Sequence, residues 1–154
     1  MKSKMFALAI LLCATIAQAS EDKLHMMSAW APATFKLAVN GAAYINAHNM
    51  SGQDVAIAGL SVDEKIASRV ELHETIIKDD MARMRQITLP VTIPAGEALS
   101  MQPGGKHIML LGLASPLSKG VEFPLTLHFE DGTEQVVNVS IDAQAEATDH
   151  SHHH

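Results

Sequence analysis

Turn-forming residues cut this chain into short pieces at nearly regular intervals, and that punctuation restricts the fold more than any other feature. Ser51-Gly52, Pro94-Ala95-Gly96, Pro103-Gly104-Gly105 and Asp131-Gly132 separate segments that are apolar or alternate apolar with polar. The segments are Ala42–Asn49, Val55–Ser61, Arg69–Ile77, Ala82–Leu89, Ile108–Leu113, Phe123–Glu130 and Gln135–Ile141. Residues two apart share one face of an extended strand, so alternation buries one face and wets the other. No stretch holds a helical period for more than a turn or two, and the place for such a turn is Val62–Ala67. Short strands with turn signals about every 8–12 residues predict an all-β antiparallel sandwich or barrel.

The N-terminus reads as an address. Lys2 and Lys4 precede an apolar stretch from Met5 to Thr15, and Ala17-Gln18-Ala19 is a small-x-small cleavage signal. Export to the periplasm and cleavage after Ala19 are expected. Cys13 raises the alternative of lipid attachment, but Leu12 stands where a small residue would precede a lipidated cysteine. No later window approaches the ~20 apolar residues of a membrane span. The organisation expected is a signal peptide at 1–19, a short lead at 20–27, one globular unit at 28–141 and a polar tail at 142–154.

Cys13 is the chain's single cysteine, so the exported part has none. An extracytoplasmic domain without disulfides must be held by its apolar core, and this length can supply one. A blue-copper electron-transfer centre is excluded, because it needs a thiolate. With Lys2 and Lys4 gone, nine basic side chains face seventeen acidic ones. That balance disfavours nucleic acid and anionic membrane as partners and suits a soluble protein that tolerates cations.

His73, Met84, His107 and Met109 form the pattern H-x10-M-x22-H-x-M. Imidazole combined with thioether selects Cu(I) over zinc, calcium or magnesium, because polarizable donors suit a soft monovalent ion. In a strand, His107 and Met109 share a face while Ile108 and Leu110 turn into the core. By the same alternation Val70 and Leu72 point inward and His73 outward. The turn Lys78-Asp79-Asp80 would fold Met84 back toward His73. A lone methionine in a β-protein is more often core filler than a ligand. Met81 competes with Met84 for the role, and Met101 could approach His107 across the Pro-Gly-Gly turn.

Longer stretches carry a resemblance. Val70-Glu71-Leu72-His73-Glu74, Met84-Arg85, Ile93-Pro94-Ala95-Gly96 and the run from Pro103 to Leu113 closely resemble the PCuAC family of periplasmic copper chaperones. Ala29-Trp30-Ala31-Pro32 and Pro124-Leu125-Thr126-Leu127-His128-Phe129 are similar to that family as well. The resemblance implies a cupredoxin-like Greek-key sandwich that holds one Cu(I) at an exposed edge through His73, Met84, His107 and Met109. It implies delivery of copper to the CuA centre of cytochrome oxidase, with the apo oxidase copper domain and Sco-type thiol proteins as partners. Asp80 departs from the glycine common in the family's turn, a change that aspartate tolerates.

No nucleophile and base form a defined constellation, so binding rather than catalysis is expected. Storage of copper, or a copper-independent interaction domain, are the competing readings. His150, His152, His153 and His154 crowd the tail. Imidazoles without thioethers suit Cu(II) or zinc, so a weaker Cu(II) site is expected there if the tail is native and functional.

Overall fold

The computed structural model describes residues 22–142; the expected signal peptide and the tail histidines lie outside them. Within this span the chain is all β. Its strands are β1 (Leu24–Pro32), β2 (Asn40–Asn49), β3 (Val55–Val62), β4 (Ala67–Lys78), β5 (Met81–Gln86), β6 (Val91–Ile93), β7 (Ala98–Ser100), β8 (Lys106–Leu113), β9 (Glu122–Phe129) and β10 (Glu134–Asp142). The pairing order is β5-β4-β8-β2-β1-β10-β9-β3-β6, with β7 added on β2. All pairs are antiparallel except β1 with β10.

β2 joins the two layers. Asn40–Ala43 pair with β8, and the rest of the strand pairs with β1 and β7. Its inward residues Ala43, Ile45 and Ala47 are fully buried, so one strand contributes core to both layers. The alternation seen in the sequence accounts for the remainder of the core. Phe123, Leu125 and Leu127 of β9 and Val137, Val139 and Ile141 of β10 point inward, against Leu72, Ile108 and Leu110. Each fully buried large apolar side chain of this kind contributes on the order of 1.5–3 kcal/mol of transfer free energy.

Three strands exceed the sequence expectation. β1 opens at Leu24, ahead of Ser28, and a bulge between Met26 and Ser28 breaks the alternation that would have announced it. β6 and β7 are three-residue strands, too short to carry a period. The segment Val62–Ala67 contains a single turn closed by Ile66 N–H donating to Asp63 O at 2.8 Å.

Candidate metal site

β4 and β8 run antiparallel with His73 opposite His107, Leu72 opposite Ile108 and Glu71 opposite Met109. Because Leu72 and Ile108 fill the core, the alternation turns His73, His107, Glu71 and Met109 to the outer face. The two imidazoles lie with ring centroids 5.9 Å apart. Tyr44 of β2 stands 6.4 Å from the His107 ring, and Trp30 packs on Tyr44 at 4.8 Å. That aromatic row covers His107, which is only 5% exposed. The site expected at an exposed edge is therefore open on the β5 side and closed on the β2 side.

The β4–β5 hairpin decides which methionine shares this face. Asp79 and Asp80 both have positive φ, 53° and 59°, the backbone twist of a two-residue hairpin turn. The turn sets Lys78 opposite Met81 and Thr75 opposite Met84. Thr75 is two residues from His73, so Met84 lies on the His73 face; Met81 lies on the other. Met84 is 57% exposed, and Met101 is a core residue at 3%. Met84 and Met109 thus flank the histidine pair at opposite ends along the strands.

Hydrogen bonds assign the ring nitrogens. His107 Nδ1 lies 3.1 Å from the Gly105 carbonyl, which can only accept, so Nδ1 carries the proton and Nε2 keeps a lone pair. Gly104, at φ +79°, shapes the turn that presents this carbonyl. His73 Nε2 donates to Glu71 Oε2 at 2.9 Å, leaving His73 Nδ1 buried with no hydrogen-bond partner among the described residues. The bond from His73 holds the Glu71 carboxyl below the usual carboxylate range; partial burial works against that shift and the charge of Arg69 adds to it. An ionised carboxylate behind an imidazole, with the far nitrogen unpaired, is the outer-shell arrangement that orients a metal-ligating histidine.

His128 shows the contrast. Its Nε2 lies 2.6 Å from Ser61 Oγ and its Nδ1 lies 2.8 Å from Glu134 Oε1, so neither nitrogen is free. Among the described residues no three His, Cys, Asp or Glu side chains converge as a metal-binding group. An ion held by His73 and His107 has to complete its shell with other donors, and thioether sulfur is at hand. Glu71 and the Gly105 carbonyl were not singled out from the sequence. The i, i+2 spacing of Glu71 and His73 on an outward strand face was the available signal.

This fold is that of the PCuAC domains, a cupredoxin-like β-sandwich. The solution structure of CuI-DR1885 from Deinococcus radiodurans superposes with a TM-score of 0.64 at 29% identity, covering 86% of this chain and 87% of that one. The copper-bound PCuAC domain from PmoF2 gives a TM-score of 0.64 at 18% identity, covering 79% and 94%, a likeness of fold alone. Residues 24–141 match the family described as "Putative lipoprotein LpqE-like", and the chain belongs to that family. It is 34% identical over 122 residues to "Putative lipoprotein Lxx21020" of Leifsonia xyli subsp. xyli (strain CTCB07), covering 78% of this chain and 70% of that protein. The kinship with PCuAC domains read from the sequence holds for the fold and extends to relatives solved with copper.

Proposed function

We propose that this protein is an exported copper chaperone that carries one Cu(I) on His73, Met84, His107 and Met109. The observation that carries the reading is the buried, unpartnered Nδ1 of His73 beside the His107 ring, with the opposite nitrogen of each ring engaged by an acceptor. Leaving a buried polar atom unpaired costs about 1–3 kcal/mol, a cost that a coordinated ion removes. The two histidines anchor the ion, and the two methionines set the preference for Cu(I). The Cu(I) form of DR1885 supports the same cargo.

Release follows from which ligand is accessible. Met84 sits on the edge strand β5 and is exposed, whereas His107 lies under Tyr44. An incoming thiolate displaces the exposed neutral thioether first and the imidazoles afterwards, so copper leaves by stepwise ligand exchange. The acceptor of this reading is the apo CuA domain of cytochrome oxidase, with Sco-type proteins acting beside it. The extracytoplasmic setting agrees with the family's description. In this reading the signal peptide is removed after Ala19, and the copper-binding domain opens with β1 at Leu24, ahead of the expected start at Ser28, and runs to Ile141.

Delivery and storage differ in the last step. Mixing the Cu(I)-loaded protein with an apo CuA domain under strict reduction tests them, with copper followed on both proteins after separation. Transfer within the mixing time supports delivery. Copper retained against excess acceptor, and released only to a strong chelator, favours storage.

A further inference from the structure

The layout around His73 and His107 recurs at the far end of β2, in residues that the first site does not use. The domain contains three His-x-Met triplets: His25-Met26-Met27, His48-Asn49-Met50 and His107-Ile108-Met109. The β1–β2 register sets His25 directly opposite His48. Directly opposed residues of an antiparallel pair have Cβ atoms about 4.5–5.5 Å apart, a separation that lets two imidazoles reach one ion.

The flanking methionines repeat the pattern. Met27 stands two residues beyond His25 and Met50 two beyond His48, on antiparallel strands, so they bracket the pair from opposite ends as Met84 and Met109 bracket theirs. Met27 is the residue skipped by the β1 bulge, between Met26 opposite Ala47 and Ser28 opposite Asn46. Met26 packs on the core, while Met27 is 59% exposed and Met50 71% exposed. His25, Met27 and Met50 line one groove of about 1350 Å³, together with Asp22, Lys23, Asp54 and Asp131, while His48 adjoins it through its register with His25. Lys23 pairs with Asp131, and the remaining carboxylates, Asp22 and Asp54, favour a cation in the groove.

The histidines themselves are uncommitted. His128 has both ring nitrogens engaged and His73 and His107 each have one. His25 and His48 make no side-chain hydrogen bond among the described residues. Two imidazoles opposed in the strand register, without side-chain hydrogen bonds among the described residues and bracketed by two exposed thioethers, have the donor set of a soft-metal site. We propose that His25, Met27, His48 and Met50 form a second Cu(I) site.

The placement gives this site a use. Along the outer face of β2 the residues are Ala42 opposite Met109, then Tyr44 against His107, Asn46, and His48. His48 is four residues from Tyr44, or about 13 Å at roughly 3.3 Å per residue. The outer face of β2 therefore runs from the border of the first site to His48 of the second, the first partly covered and the second open, as capture followed by protected carriage would need. The second site uses none of the donors proposed for the first, so each stands or falls separately.

Anaerobic Cu(I) titration of the exported chain against a chromophoric chelator tests the inference, comparing wild type, His25→Asn/His48→Asn and His73→Asn/His107→Asn. Each double variant is expected to lose one Cu(I) equivalent and keep the other. Side-chain ¹H–¹⁵N spectra of the unmutated protein supply a readout independent of any folding defect, with the His25 and His48 ring signals expected to shift during the titration. Equal stoichiometry in wild type and His25→Asn/His48→Asn, or ring signals of His25 and His48 that stay fixed throughout, would overturn the second site. Fixed signals at His73 and His107 would instead overturn the first site and leave the second standing.

Discussion

His73 and His107 face each other across β4 and β8 with ring centroids 5.9 Å apart, each fixed through one nitrogen and with no hydrogen bond at the other among the described residues. Glu71 orients one ring from the side and the Gly105 carbonyl holds the other from a turn. The pair is set by strand register in the metal-free chain, so under the proposed function little ordering remains to be done on binding.

Glu71 is where this preorganisation can be tested without touching a ligand. Glu71→Gln keeps the size of the side chain and an acceptor oxygen but removes the charge behind His73. Cu(I) affinity is expected to fall about 10–100-fold, the usual effect of losing such an outer-shell partner. Chelator competition measures the affinity, and an unchanged circular dichroism spectrum shows that the fold persists. Wild-type affinity in this variant would remove Glu71 from the site.

Acid should act on the protein in two ways. The Glu71 carboxyl titrates below its ordinary range in the folded chain, so the stability it contributes is present above that range and is lost as pH falls through the lowered value. Urea unfolding of the metal-free protein should show this acid loss, and Glu71→Gln should lack that component. Copper carried on histidine should also be held less tightly in mildly acidic than in neutral solution, because protonated imidazole has no lone pair to give. Affinity that stays level over that interval would show that histidines are not ligands.

Asp79 and Asp80 form the β4–β5 turn with both backbones at positive φ, where glycine is favoured. Replacing Asp80 with glycine relieves one unfavourable backbone and is expected to stabilise the protein by roughly 0.5–1 kcal/mol, net of the entropy of the added glycine. Thermal unfolding of the metal-free form reads this as a rise in Tm. A fall would show that Asp80 makes a contact worth more than the backbone strain.

The tail offers a test of a separate kind of site. His150, His152, His153 and His154 lack thioethers, so they should hold Cu(II) more weakly than the domain holds Cu(I). Deleting Asp149–His154 should remove one weak Cu(II) equivalent and leave Cu(I) binding at His73 and His107 intact. Equal Cu(II) stoichiometry with and without the tail would end that role.

Much of the sandwich was legible because β9, β10 and the middle of β4 and β8 alternate cleanly, so Phe123, Leu125, Val139, Leu72 and Ile108 announce their own direction. β1 was not, since the bulge at Met27 puts consecutive residues on the wet side and destroys the period. The face of Met84 depended on the hairpin register, which a two-aspartate turn does not announce in the way Asn-Gly would. The opposition of His25 and His48 was invisible for the same reason. Pairing between strands is not written in the spacing along either one.

Cu(I) affinity in Met84→Leu, Met109→Leu and the double variant tests the proposed site most directly. Leucine keeps the volume and apolarity of methionine and removes only the sulfur, so the fold should survive at a cost under about 1.5 kcal/mol. Measured at the first site, in the His25→Asn/His48→Asn background, each single variant should weaken Cu(I) binding and the double variant should weaken it further. Wild-type affinity in both single variants and in the double variant would contradict a copper site built on these two methionines.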